Sequence, residues 1–234
     1  MVKIFADGSD LDTMINQYRN EPIIKGWTTN PTLMKKSGVV DYEKFACTLL
    51  LEIKDKPVSF EVFADAFGEM YRQAMRLSSW SDNVYVKIPV TNTNGIYNYA
   101  LVETLSNVGV KVNVTALTTP TQVADILPAL KNTVGAYISV FAGRIADTGV
   151  DPLPIMQSAL NLIKDASDKV ELIWASPREV LNVVQANEIG CHIITCTKDI
   201  IAKLPLLGKD LKEYSRETVQ MFYKDAESIH FGII

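Results

Sequence analysis

The stretch Val84-Tyr85-Val86-Lys87-Ile88-Pro89-Val90, VYVKIPV, reads as a buried strand with a lysine in its middle. Val84, Val86, Ile88 and Val90 share one face, and Tyr85 and Lys87 share the other, because alternate residues of a strand point to opposite sides. Burying an ammonium costs several kcal/mol unless it is paired or gives up its proton. The face that carries Lys87 therefore needs partners, while its opposite is purely aliphatic. Pro89 cannot extend a ladder of hydrogen bonds, which places Lys87 near the end of the strand.

Outward from this stretch the same pattern recurs. Apolar, β-branched runs bounded by turn residues fall at 3–7, 26–30, 58–64, 84–90, 110–117, 136–144, 170–176 and 191–197, eight in all. Segments with helical spacing lie between them, at 11–18, 67–77, 96–107, 121–130, 154–166 and 177–186. Strands alternating with helices specify βαβ units and a parallel sheet. Eight units in 234 residues leave about 29 residues each, close to the roughly 30 that a βαβ unit requires. The simplest closure is an α/β fold of the eight-stranded (β/α)8 barrel type, a TIM barrel. The second run, GWTTN, is short and polar. No linker, repeat or low-complexity stretch interrupts the chain, so residues 1–234 are expected to form one domain. After the eighth run, Leu211, Tyr214, Met221, Phe222 and Ile229 recur at helical spacing, which predicts an extra C-terminal helix within 209–234.

Parity sharpens the barrel. In VSFEVFA, Val58, Phe60, Val62 and Ala64 oppose Ser59, Glu61 and Phe63. In VKVNVTAL, Val110, Val112, Val114 and Ala116 oppose Asn113 and Thr115; in AYISVFAG, Ile138, Val140 and Ala142 oppose Ser139 and Phe141. One face suits packing under helices. The other carries polar groups late in each strand, so that they converge on the C-terminal mouth where barrel enzymes keep their chemistry.

Composition excludes several classes. The chain is 47% hydrophobic, carries a net charge of −4 and has no long basic or acidic block, which speaks against nucleic acid and membrane surfaces as partners. No apolar run approaches the roughly 20 residues that span a bilayer. The N-terminus MVKIFADGSD enters a strand directly, without the regions of a signal peptide. Three cysteines, Cys47, Cys191 and Cys196, suit reduced thiols in the cytoplasm. Cys191, His192 and Cys196 lack a credible metal-ligand set, and neither Gly143 nor any G-x-G-x-x-G motif makes a phosphate loop. No metal and no organic cofactor is expected. Met70, Met75 and Leu77 read as core-facing positions of one helix.

Lys87, Glu61 and Asp7 fall on the inward face at the ends of different strands. A desolvated lysine can attack a carbonyl and form a Schiff base, and two carboxylates supply proton carriers for imine chemistry. Taken singly, Asp7 is also compatible with a turn, Glu61 with a structural ion pair, and Lys87 with a lysine that snorkels to solvent. A barrel holding pyridoxal phosphate on Lys87 and a non-catalytic binding barrel remain as rivals.

The motifs FADGSD, GWTTNPTLMKKSG, VYVKIPVT, VNVTALTTPTQ, YISVFAGRIAD and WASPREV, in this order, resemble those of the transaldolase family. The compact length is similar to the short subfamily that also contains the fructose 6-phosphate aldolases. This resemblance implies a class I aldol mechanism in which Lys87 matches the Schiff-base lysine and Asp7 the acid/base at the C4 hydroxyl. Glu61 and Thr115 match the pair that holds the catalytic water. Thr28, Asn30, Asn113 and Ser176 match positions that line the pocket, bind the dihydroxyacetone hydroxyls or hold Lys87, and Ser139 shares the inward face of Phe141. Arg144 and Arg178 match the arginines that clamp the substrate phosphate, a task suited to a forked guanidinium. Arg19, Arg72 and Arg76 are expected to be solvated.

The resemblance also implies a homo-oligomer, a pentamer or decamer built through the C-terminal helix. Transaldolase-type sites carry Glu, Asn and Phe where the aldolases carry Gln, an aliphatic residue and Tyr; this chain has Glu61, Asn113 and Phe141. The implied reaction moves a dihydroxyacetone unit from sedoheptulose 7-phosphate to glyceraldehyde 3-phosphate, in the pentose phosphate pathway. The alternative is an aldolase that releases free dihydroxyacetone. Trp27 before TTNP, Pro177 beside Ser176 and Gly8 after Asp7 depart from the family pattern.

Overall fold

In the computed structural model, which describes residues 1–229, all eight runs contain a strand. These are β1 (Lys3–Asp7), β2 (Ile24–Thr28), β3 (Val58–Glu61), β4 (Val84–Pro89), β5 (Val112–Leu117), β6 (Ala136–Val140), β7 (Val170–Trp174) and β8 (Ile193–Cys196). They pair in parallel in chain order and close into a barrel, with β1 bonded to both β2 and β8. The helices are α1 (Leu11–Asn20), α2 (Pro31–Lys36), α3 (Tyr42–Glu52), α4 (Phe67–Ser78), α5 (Tyr99–Asn107), α6 (Pro120–Ile126), α7 (Ala142–Asp147), α8 (Pro152–Ala166), α9 (Leu181–Glu188), α10 (Lys198–Ile201) and α11 (Leu211–Ile229). The protein is thus a (β/α)8 TIM barrel with an additional C-terminal helix. Met1–Ile201 form one compact unit and the chain from Ala202 a second. Within the second, Leu211, Tyr214, Met221, Phe222 and Ile229 of α11 are exposed.

Polar residues start several of the helices where the sequence changes period. Asp10 accepts from the Thr13 amide at 2.9 Å ahead of α1, and Asp41 accepts from the Lys44 amide at 2.9 Å ahead of α3. Thr119 and Gln122 form a reciprocal capping box on α6. Each cap contributes about 1 kcal/mol. Burial is the larger effect, since each aliphatic side chain removed from water contributes roughly 1.5–3 kcal/mol. The outward residues Val86, Ile88, Val112, Val114, Ile138 and Val140 are all fully buried beneath the helices.

Inside the barrel, the N-terminal half is filled by rings. Phe5, Tyr137, Ile173, Ala175 and Ile193 form a buried cluster against which Tyr85 and Phe141 pack. Tyr85 stacks on Tyr137 with centroids 4.0 Å apart, and Phe5 meets Tyr137 edge-on at 5.8 Å. Gly26 is required by this filling, because a Cβ there would fall 2.7 Å from the Phe5 ring. Trp27 points outward, fully buried, and its Nε1 donates to Gln17 at 3.4 Å. Its size is taken up beneath α1 and does not narrow the barrel.

Several boundaries differ from those read in the sequence. β2 begins two residues earlier than the 26–30 run, and β6 stops at Val140, so Arg144 stands on α7 and not on a strand. The segment before α5 is a small hairpin, with Thr91 bridged to Tyr97. Asn92 Oδ1 accepts from the amides of Asn94 and Ile96, and Gly95 takes φ +77, which turns the chain where helical spacing suggested α5 had begun. Met70 and Leu77 are buried on α4, whereas Met75 is exposed: it lies off the stripe that Met70, Ala74 and Leu77 define.

Candidate active site

Lys87 is buried, at 6% exposure, with its ammonium group matched by two acceptors. Glu61 lies opposite it in the β3–β4 register, and its Oε2 is 3.0 Å from Lys87 Nζ. Lys87 Nζ also donates to the Thr29 carbonyl, just beyond β2, at 2.8 Å. Pairing and hydrogen bonding together make burial of the charge tolerable.

Asp7 ends β1 in the same mouth. Thr28 donates to its Oδ1 at 2.8 Å and Asn30 Nδ2 approaches its Oδ2 at 3.5 Å. Burial raises the Asp7 carboxyl above the usual carboxylate range; Lys87 opposes this, Thr28 and Asn30 oppose it by hydrogen bonding, and Glu61 adds to it. Asn30 is fixed from the other side as well, since its Oδ1 caps α2 by accepting from the Leu33 amide at 3.0 Å. The Thr28 hydroxyl lies 2.5 Å from that of Thr195 on β8, a residue that the sequence reading missed. Its signal was slight, a single polar side chain in the apolar run IITC.

Asn113 is the β5 neighbour of Lys87. It donates to Ser59 Oγ at 3.1 Å and accepts from Ser139 Oγ at 2.7 Å, all three side chains being buried. Ser139 is therefore committed to Asn113. Above this rung, Thr115 pairs with Pro89 in register, and its hydroxyl is buried without a protein partner. A buried hydroxyl left unpaired costs about 1–3 kcal/mol.

The β6 and β7 ends form the rim. Phe141 precedes α7 and packs against the aromatic filling below, and the Arg144 guanidinium lies over its ring at 5.6 Å. Ser176 holds φ +60, a conformation that costs a non-glycine residue roughly 1–3 kcal/mol. The strained residue sets its carbonyl against Gly143, where a Cβ would be only 1.5 Å from the oxygen and 3.3 Å from Arg178 Nε. The guanidinium of Arg178 thus crosses the residue before Arg144. Arg178 Nε donates to Asp147 Oδ1 at 2.9 Å and its Nη2 to the other oxygen, and these bonds hold the Asp147 carboxyl below its usual range. Arg178 is half-exposed and anchored; Arg144 is exposed and has no carboxylate partner among the described residues. Arg19, Arg72 and Arg76 sit in exposed ion pairs.

Burial pushes both Cys191 and Cys196 up to about 12, Asp7 adding to the rise at Cys196, so both thiols stay protonated. His192 Nδ1 accepts from the Leu172 amide at 2.9 Å. Among the described residues no group of three or more His, Cys, Asp or Glu side chains is placed to hold a metal ion, and no helix is long and apolar enough to cross a membrane.

The mouth therefore assembles an amine with two acceptors, a buried carboxyl of raised proton affinity, an unpaired hydroxyl and two guanidinium groups. Such a set can form an imine, move protons at neighbouring carbons and hold an anionic tail. Comparison with known proteins gives the same direction. The family model described as transaldolase/fructose-6-phosphate aldolase matches residues 4–233. A "Probable transaldolase" of Streptococcus equi subsp. equi is 34% identical over 220 residues, covering 92% of this chain and 97% of its own. One from Nitrosopumilus maritimus is 34% identical over 221 residues, covering 92% and 94%. Among solved structures, a protein assigned to the dihydrodipicolinate synthase family from Coccidioides immitis superposes with a TM-score of 0.60 at 11% identity, over 83% of this chain and 66% of that one, a likeness of fold alone.

Proposed function

Because the chain belongs to the transaldolase/fructose-6-phosphate aldolase family, we propose that it is a transaldolase that carries a dihydroxyacetone unit on Lys87, from sedoheptulose 7-phosphate to glyceraldehyde 3-phosphate. Lys87 Nζ attacks the donor ketone, and water leaves with protons managed by Glu61 and Thr115 to give an iminium. Asp7 takes the proton of the C4 hydroxyl as the C3–C4 bond breaks, and the electron pair moves to the iminium as an enamine. Erythrose 4-phosphate departs. The enamine attacks the aldehyde carbon of glyceraldehyde 3-phosphate, Asp7 returns its proton, and water hydrolyses the new iminium to fructose 6-phosphate. Arg144 and Arg178 hold the phosphate.

The observation that carries this reading is Lys87 Nζ between the Glu61 carboxylate at 3.0 Å and the Thr29 carbonyl at 2.8 Å. These two acceptors fix Nζ on the inward face near the end of β4, where the free amine would be held to meet the donor ketone. Phe141 supports transfer over release, since its ring offers no hydroxyl from which the enamine could be protonated.

Borohydride added with fructose 6-phosphate should fix a three-carbon or six-carbon adduct, and peptide mapping should find it on Lys87. Lys87→Arg keeps the charge but forms no imine, so it should stay folded and lose nearly all transfer activity. An adduct on another lysine, or an active Lys87→Arg protein, excludes the mechanism. A coupled assay with and without acceptor aldehyde distinguishes transfer from aldol release.

A further inference from the structure

Tyr42, the first residue of α3, reaches the end of β3 from outside the barrel. Its hydroxyl accepts from the Glu61 amide at 2.9 Å and donates to the Glu61 carbonyl at 3.1 Å. Both bonds go to the backbone of the residue whose carboxylate meets Lys87. The ring is held by Phe63 at 4.6 Å, by Trp80 at 5.7 Å and by Phe60 at 6.0 Å. Burial raises the phenol far above its ordinary value, so the hydroxyl stays protonated and can both accept and donate.

The β2–β3 register shows why a hydroxyl is needed there. Trp27 pairs with Val58 and Thr28 with Ser59, and the Thr29 amide donates to the Ser59 carbonyl at 3.1 Å. In an evenly spaced parallel ladder the next bond would run from the Glu61 amide to the Thr29 carbonyl. That carbonyl instead receives Lys87 Nζ at 2.8 Å, and the Glu61 amide is satisfied by Tyr42.

We propose that Tyr42 is a positioning residue of the active site: its hydroxyl takes the ladder place at Glu61, which frees the Thr29 carbonyl to orient Lys87. This rests on the Schiff-base reading of Lys87 for its catalytic meaning, although the geometry stands apart from it. One oxygen atom on a helix then sets both acceptors of the amine. It fixes the strand end that carries Glu61 and keeps the Thr29 carbonyl out of the ladder.

Tyr42→Phe removes that oxygen and keeps the ring among its neighbours. The rate of borohydride trapping with fructose 6-phosphate should fall about tenfold to a hundredfold, the scale of a misplacement near 1 Å, while KM changes little. A crystal structure of the variant should show the Glu61 amide within hydrogen-bond distance of the Thr29 carbonyl and Lys87 Nζ moved off it. Trp80→Phe loosens the same aromatic packing but leaves the hydroxyl; it should lower Tm and leave the trapping rate within about twofold. Lys87 still on the Thr29 carbonyl in Tyr42→Phe, or equal trapping losses in the two variants, would overturn the proposal. Absence of any adduct on Lys87 in the unaltered protein would instead refute the Schiff-base reading, and the crystal structure would still decide the role of Tyr42.

Discussion

Replacing Gly143 by alanine inserts one methyl group where α7 begins and the chain beyond β7 crosses it. The new Cβ would lie 1.5 Å from the Ser176 carbonyl oxygen and 2.7 Å from its carbon, while real Cβ contacts stay at 3.0 Å or more. The two segments must therefore separate by about 1.5 Å, and the neighbour is backbone, which cannot swing aside as a side chain would. Overpacking of this kind costs about 1–3 kcal/mol or somewhat more, so Tm should fall by several degrees. Function should suffer more than stability. Arg144 is the next residue and Arg178 crosses the same point, so the phosphate clamp proposed for them should open, and a shift near 1 Å can cost on the order of a hundredfold. The assay is kcat/KM with fructose 6-phosphate set beside Tm. Gly68, on α4, provides the contrast, because a methyl group there would meet no atom within 4 Å. Gly68→Ala should leave activity alone and raise stability by about 0.4–1 kcal/mol. Wild-type Tm and kcat/KM for Gly143→Ala would refute the close approach on which this reasoning depends.

Asp7→Asn tests the raised carboxyl through stability. A folded pKa above the unfolded one stabilises the protein fully below about pH 4 and ceases to do so as pH rises through the folded value, so the Tm gain of Asp7→Asn should grow between pH 4 and pH 8; a constant or shrinking gain contradicts it. Arg144→Ala and Arg178→Ala should each raise KM for fructose 6-phosphate, by an amount toward the lower end of the roughly 1.5–3 kcal/mol of a charged hydrogen bond, because both groups reach solvent. Equal losses with free dihydroxyacetone would exclude a phosphate clamp. Phe141→Tyr adds a hydroxyl, and a positioned proton donor typically contributes 10²–10⁴-fold; it should gain release of dihydroxyacetone without acceptor and lose transfer, and an unaltered protein that already releases as fast as it transfers would be better described as an aldolase.

The period of two made the barrel and its inward face readable, because a one-residue slip would send Lys87, Asn113 and Glu61 out among the helices. The helical rim was harder to read. AYISVFAGR alternates without interruption, yet Phe141 leaves extended geometry at φ −83, ψ 63 and begins a helix. Nothing in apolar spacing records such a turn. Residues 31–52 hold α2 and α3, the first only six residues long, too short for a periodic stripe to emerge. Thr29 acts through a carbonyl that every residue possesses, and Tyr42 acts on a strand from a neighbouring helix. Side-chain identity cannot announce either role; only the register of β2 against β3 exposes them.

The aromatic filling beneath Lys87 makes the barrel a room with one door. Phe5, Tyr137, Ile173 and Ile193 are all buried, so among the described residues the opposite end is packed shut. Whatever enters must leave the way it came. On the transaldolase reading proposed above, the first aldose would vacate the mouth before the second aldehyde approaches the enamine, and between the two visits the only record of the donor would be the three-carbon fragment bonded to Lys87. The order of events in such a two-substrate exchange would then follow from the architecture: a shuttle with alternating callers, whose reciprocal-rate plots should run parallel.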